Sequence, residues 1–384
     1  MPTGFSLLGG PLHTLGRRLG LVRGGANTVL LGVVLGIGPW LVLLLLTLLA
    51  GDASRLFSLS VIAAHVRLLA VIPLFFLCET WVDPRMSAFV GVITRSGVVP
   101  EAAQPALAAE VARVRAWKDS WIPDVACLLL TLAWSLGGAR FDIIGTTSDF
   151  DPARAASGIP LAGAWYWYFC LPLFRFLALR WLWRLGEWTW FLSRVARLDL
   201  ELVPTHPDGA GGLGYLEVVH LHLLPLILAL SAVQSAALAE EIGSGAMPFS
   251  AVYGAFGLVL AVVAVLFLGP MFLFTPRLWS AQVQGMADYM EFAADYVSRF
   301  DRKWLGGKTA PAEPLLGTSD LQSLADLGNS VSVIRRMRWV PISFDLLRDY
   351  GVAAILPMLP LGLMKYPLAE LAEKFFVRLT GLQP

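Results

Sequence analysis

Charge is what this chain has least of. Only 15% of its 384 residues are Asp, Glu, Lys or Arg, against about 25% in an ordinary soluble domain. That deficit excludes a water-exposed globular surface over most of the length. The net charge is +1, so there is no basic excess to grip a nucleic-acid backbone. Cysteine is scarce as well. Cys78, Cys127 and Cys170 lie within or at the ends of apolar runs, and no two form a C-x-x-C pair. The pattern argues against a disulfide framework and a thiolate metal site, and for free, reduced packing cysteines. No Gly-Lys-Ser/Thr ending marks a nucleotide phosphate loop, and no G-x-S-x-G marks a hydrolase nucleophile. No internal repeat or low-complexity tract is present, which weakens an alternating-access transporter.

What is present is apolar length. Hydrophobic residues make up 57% of the chain and the mean hydropathy is +0.67. Runs near 20 residues are long enough to cross a bilayer core as helices. They predict an all-α, polytopic helical membrane protein with spans at 28–50, 58–80, 122–138, 164–183, 216–238 and 250–274. A seventh, 342–364, contains Pro357 and Pro360 and reads either as a kinked span or as a re-entrant segment. The first run is too long for a signal-peptide core and reads as a retained span. The spans divide the chain into a main bundle (1–275), a cytoplasmic helical region (276–338) and a C-terminal hydrophobic segment with an amphipathic tail (339–384).

Loop charge sets an expected orientation. With the N-terminus cytoplasmic, the inside segments hold twenty Lys and Arg and the first three outside loops hold three, a strong positive-inside bias. The outside loops are acidic, with Glu240 and Glu241 among their residues. Residues 101–119 and 184–202 read as further helix on the cytoplasmic side.

Four arginines lie in or at the end of apolar runs. Counting about 1.5 Å per residue places Arg67 and Arg175 roughly 14–17 Å deep, near the middle of a core about 30 Å thick. An arginine there costs roughly 2.5 kcal/mol or more. Arg180 and Arg184 follow toward the cytoplasm, within reach of Glu79, Asp83 or Asp124. For Arg67 and Arg175 the sequence offers no carboxylate, only neutral groups such as Ser231, Gln234, Ser235, Thr131 and Ser135. The four could form a positive path that admits an anion, or they could hold helices in register.

The segment RLDLELVPTHPDGAGGLGYLE (197–217) is the densest local pattern. Gly209, Gly211, Gly212 and Gly214 precede a helix, and successive backbone N–H groups there make a concavity suited to an anion. Arg194, Arg197, His206 and Asp208 lie beside it. The candidate is an anion or lipid-headgroup loop; the alternative is a tight turn that uses glycine and proline to redirect the chain.

ELVPTHPDGAGGLGYL (201–216) and LLGTSDLQSLADLGNSVSVIRRMR (315–338) resemble segments of a group of uncharacterised bacterial multi-pass membrane proteins. The resemblance covers most of the chain from about residue 160. It implies a bacterial inner-membrane location and no activity.

Trp279, Val283, Met286, Met290, Ala293, Val297, Phe300 and Trp304 alternate in steps of four and three. That 3.5-residue stripe predicts a long helix lying along another, within the chain or in a homo-oligomer. A b-type haem would need two axial histidines. His65 and either His220 or His222 are misaligned in depth by several ångströms at about 1.5 Å per residue. Asp288, Glu291 and Asp295 read as a solvated face. No catalytic residue, metal or cofactor is expected. The expected partners are the lipid bilayer, anionic headgroups and further copies of the chain. The leading functional expectation is an oligomeric anion channel or channel-like conduit. The alternative is a non-transporting scaffold or sensor with a cytoplasmic partner-binding layer, and a haem-dependent redox protein ranks third.

Overall fold

A computed structural model describes residues 5–22, 27–51, 56–136, 161–306 and 319–365. Among them are ten helices and no strand. They are α1 (Gly10–Arg18), α2 (Val29–Leu49), α3 (Leu59–Arg95), α4 (Gln104–Asp119), α5 (Ile122–Leu136), α6 (161–195), α7 (Tyr215–Gly243), α8 (Ala251–Trp304), α9 (Ser319–Arg335) and α10 (Phe344–Lys365). The protein is an all-α, multi-pass membrane protein. Helices α2, α3, α7, α8 and α10 are long and apolar enough to span, and α5 is a shorter apolar helix. Helix α6 coincides with the expected fourth span, but its arginines and interfacial aromatics keep it out of that apolar set. The expected loop at 306–314 and the amphipathic tail beyond 365 lie outside the described residues, apart from Gly306.

Three helices widen into a π turn, and each time a proline follows. The turns are Val66–Val71, Tyr166–Cys170 and Ala264–Leu268, ahead of Pro73, Pro172 and Pro270. A proline ring clashes with the carbonyl four residues back and donates no hydrogen bond to it. Those carbonyls belong to Leu69, Tyr168 and Leu266, inside the three turns. Widening the helix there relieves the clash without ending it. Pro39 and Pro84 sit inside stretches that stay α-helical.

Helix α3 is central, packed between α2, α6 and α7. Its approach to α2 is close because Gly32 and Gly36, four residues apart, face it. A Cβ on Gly32 would stand 2.6 Å from that of Phe76, and one on Gly36 would strike the Leu68 carbonyl. Small residues at this spacing let membrane helices meet backbone to backbone.

The N-terminal segment, the links after α3 and α6, and the α8–α9 region gather at one end of the bundle. Phe5 packs on Trp188 and Phe191, and Glu201 N–H donates to the Val98 carbonyl. These are the Lys- and Arg-rich segments, so the expectation that they share one side is met. At about 1.5 Å per residue, the 54 residues of α8 reach roughly 80 Å, far beyond a core of about 30 Å. Its second half, Thr275–Trp304, leaves the bundle and pairs with α9. Gln282 holds the carbonyls of Ile334 and Met337, while Tyr296 and Trp304 hold Asp320, which makes the pair antiparallel. Helix α10 is kinked by a 3₁₀ turn at Leu356–Met358. It lies on α7, where Ser231 donates to the Ala354 carbonyl and Tyr350 to that of His220. The last segment is thus one helix interrupted at Pro357, as its prolines predict.

Candidate functional site

Each of the four arginines is buried, between 1% and 6% exposed, and each meets groups of the protein itself. Arg67 sits on the π turn of α3 and donates to the Tyr166 hydroxyl, on the π turn of α6, at 2.6 Å. The Phe174 ring covers its guanidinium. Arg175, only one residue further along α6, points elsewhere. It stacks 4.9 Å from the centre of the Trp134 ring and reaches Ser135 of α5 at 3.4 Å. Helices α3 and α6 do face one another, with Phe75 stacked on Phe174, but the two arginines serve different contacts.

The sequence places Glu240 in an outer loop, and the structure places it in the bundle. Helix α7 continues to Gly243, so Glu240 is helical and 2% exposed. It accepts the Ala63 N–H of α3 at 2.8 Å, and both its charge and that of Arg67 act on Tyr166. The acidic loop expected on the outer side thus begins later than 239, and one of its expected members lies inside the bundle.

Arg180 and Arg184 join a buried ionic cluster. Arg180 bonds Asp124 at 3.1 Å, Glu79 at 3.5 Å and the Gly9 carbonyl at 2.8 Å. Arg184 bonds the same Glu79 oxygen. Glu79 and Asp124 are partners the sequence expected. Asp83, the third candidate, bonds neither arginine: it accepts from Ser6 and from the backbone of Leu7 and Leu8, clamping the N-terminal segment onto α3. Two guanidinium groups facing two carboxylates leave the core of the cluster neutral. Two buried donors, Arg184 Nη2 and Trp181 Nε1, find no hydrogen-bond partner.

The glycine-rich loop has the geometry that its sequence predicts, and the anion in it is the chain's own. The Asp208 carboxylate accepts the N–H groups of Ala210 (2.8 Å), Gly212 (3.1 Å) and Gly214 (2.8 Å). His206 Nδ1 stands 2.8 Å from the same carboxylate. Burial opposes ionisation of Asp208, but the three N–H groups and the imidazole hold its pKa below the ordinary carboxylate value. Gly212 has φ +97°, and a Cβ there would lie 2.5 Å from Val98, so the turn is fixed against the link after α3. Arg194 bonds Glu110 of α4 instead of the loop, and Arg197 is exposed.

Arg338, which follows α9, ties this loop down from the far side. Its N–H donates to the Gly209 carbonyl (2.8 Å), and its guanidinium reaches the Asp208 carbonyl (3.0 Å) and Glu217 (2.9 Å). Glu217 also accepts from Ser343, whose oxygen caps α10. The two segments that carry the family resemblance therefore meet in space.

Of the other candidates, His65 has one ring nitrogen against Trp40 and the other against the Leu56 carbonyl. His220 is likewise engaged by Phe267 and Trp188. Neither nitrogen pair is left to bind iron. Among the described residues no cluster of three metal-ligating side chains occurs, and Asp288 and Asp295 bond Gln284 and Arg299 on their own helix. The stripe on α8 divides. Met286, Phe300 and Trp304 are partly covered, while Trp279, Val283, Met290 and Val297 remain 40–57% exposed. No known protein family, curated protein or solved structure matches the chain.

Proposed function

We propose that the chain is a non-transporting scaffold of a bacterial inner membrane, with its N-terminus cytoplasmic. Its bundle would occupy its own cations with internal partners, and its end layer would recruit a second copy. The observation that carries this is that each of the four buried arginines, and the glycine-rich loop, is engaged by groups of the chain itself. Tyr166, Ser135, Glu79, Asp124 and Asp208 take the places an incoming anion would need. The exposed half of the α8 stripe supports self-association, because a 3.5-residue apolar repeat suits a second helix better than water. Its flanks are acidic at 288–295 and basic at 299–303, so two copies crossing antiparallel bring opposite charges together.

The oligomeric anion conduit remains the second reading. Its support is Arg184 Nη2 and Trp181 Nε1, buried donors with no hydrogen-bond partner at the expected cytoplasmic end of the cation ladder. Anion flux into proteoliposomes separates the two. The scaffold reading expects no flux above empty vesicles from the parent, Arg67→Ala or Arg175→Ala. Parent flux that either substitution alters, in a folded protein, would overturn it. Cross-linking through Cys substituted at Val283 or Met290 tests self-association independently.

A further inference from the structure

The glycine-rich loop is filled by Asp208, so a headgroup partner needs another seat. Helices α3 and α7 form one. Trp81, Pro84 and Arg85 on the first, with Leu221, His222 and Pro225 on the second, wall an open groove of about 470 Å³. We propose that this groove binds the phosphate of an anionic phospholipid, with Arg85 as its ligand and the apolar walls beneath receiving the glycerol and first acyl carbons.

Depth supports a lipid. A core about 30 Å thick takes roughly 20 helical residues. Counted from Leu59, the far edge of the core falls near residue 79. Trp81 and Arg85 then lie roughly 3–9 Å beyond it, at headgroup level. Counted back from Gly243 along α7, the same edge falls near residue 223, beside His222. Two independent helices thus put the groove at one level, at the bundle end where the Lys- and Arg-rich segments gather. Trp81 is 49% exposed there, as an interfacial tryptophan is.

Charge supports an anion. Arg85 is exposed, and among the described residues no carboxylate contacts it, in contrast to Arg180, Arg184, Arg194 and Arg338. Its polar contact is with His222, Nε to Nε2 at 3.4 Å. His222 Nδ1 faces the Val218 carbonyl at 2.7 Å. A carbonyl only accepts, so Nδ1 carries the proton and Nε2 accepts from Arg85. That contact uses Nε and leaves both terminal amino groups to fork onto a phosphate. Basic pockets between membrane helices take anionic headgroups by this chemistry.

The test uses the full-length protein, delipidated in detergent and titrated with phosphatidylglycerol or phosphatidylcholine while bound lipid is counted by native mass spectrometry. One arginine near a headgroup contributes on the order of 1 kcal/mol, or about fivefold in affinity. Phosphatidylglycerol should bind about fivefold tighter, Arg85→Gln should erase the difference, and Arg85→Lys should keep most of it. A photoreactive phosphatidylglycerol on the parent should label 80–85 and 221–225, which locates the site even if a variant misfolds. Equal binding of the two lipids, an undiminished preference in folded Arg85→Gln, or labelling elsewhere would overturn the proposal. Displacement by millimolar inorganic phosphate would also overturn it, by making the groove a site for soluble anions.

Discussion

Replacing Glu79 by Gln should be among the most damaging single-atom changes available in this protein. Glu79 is 3% exposed and accepts from Arg180 and Arg184 through one oxygen. The substitution keeps size and removes one negative charge, so two guanidinium groups face Asp124 alone. Breaking a buried ion pair by removing one partner costs about 3–5 kcal/mol, because the other charge stays buried. Arg180 keeps Asp124 and the Gly9 carbonyl, so most of the cost falls on Arg184. Asp83 and Glu187 lie within electrostatic reach of Arg184, which favours the lower end, about 3 kcal/mol. In a chain of this size that corresponds to a fall in melting temperature on the order of 3–5 °C, readable from tryptophan fluorescence in detergent. The paired change Glu79→Leu with Arg184→Met should recover much of the loss, since an apolar replacement of both partners removes the stranded charge. Nitrate or chloride should also raise the melting temperature of Glu79→Gln more than that of the parent, because the variant exposes a buried cation to anions. A single variant that melts within about 1 °C of the parent, or a double variant no better than the single, would refute the assignment of Arg184 to Glu79.

The other predictions concern the glycine-rich loop and its latch. Asp208→Ala leaves three backbone donors without an acceptor and should cost about 2–4 kcal/mol, water access reducing the full penalty; added formate should restore part of the lost hydrogen-exchange protection at 206–217, and no effect of formate on the variant would count against an anion-filled concavity. The folded pKa of Asp208 is depressed, so its contribution is complete above the ordinary carboxylate value and is lost as pH falls through the lower folded value. Loop protection in the parent should therefore decline below about pH 4, and Asp208→Asn should show a flatter profile over the same range. Gly212→Ala should loosen the loop by about 1–3 kcal/mol, because it strains a positive φ and meets Val98; limited proteolysis near 206–214 reads this. Arg338→Met should change global melting little, given its partial exposure and a pair strength of about 1 kcal/mol, yet raise exchange in both 206–217 and 339–343. An effect confined to one segment would show that the latch does not couple them.

Much of this fold is legible from apolar run length alone, because a bilayer core permits few alternatives to a helix of about 20 residues. The run-on of α8 beyond the sixth apolar run and the interruption of α10 at Pro357 follow from local residue types, and both are found. The extent of α7 does not. Alanine-rich sequence at 236–239 is equally compatible with helix and with an interfacial end, and Glu240 looks like a loop residue until its carboxylate is seen on the Ala63 N–H of α3. That one boundary hides a buried acid that, like Arg67, acts on Tyr166. The same limit applies to the glycine-rich loop. Spacing of the glycines specifies where the N–H groups converge, since that depends on backbone dihedrals within ten residues. Asp208 was visible beside them, but whether its side chain turns inward or leaves room for a ligand depends on Arg338, 130 residues away, and on Val98 behind Gly212. The four buried arginines follow one rule: each meets an acid or a hydroxyl on another helix, and the pairing bridges 40 to 105 residues. Arg85 departs from that rule, and it does so at the depth where lipid phosphate is the most concentrated anion. An exception is informative here because burial would make it costly and exposure at the headgroup level does not. The cation with no carboxylate partner is therefore better evidence for an external ligand than the four buried ones.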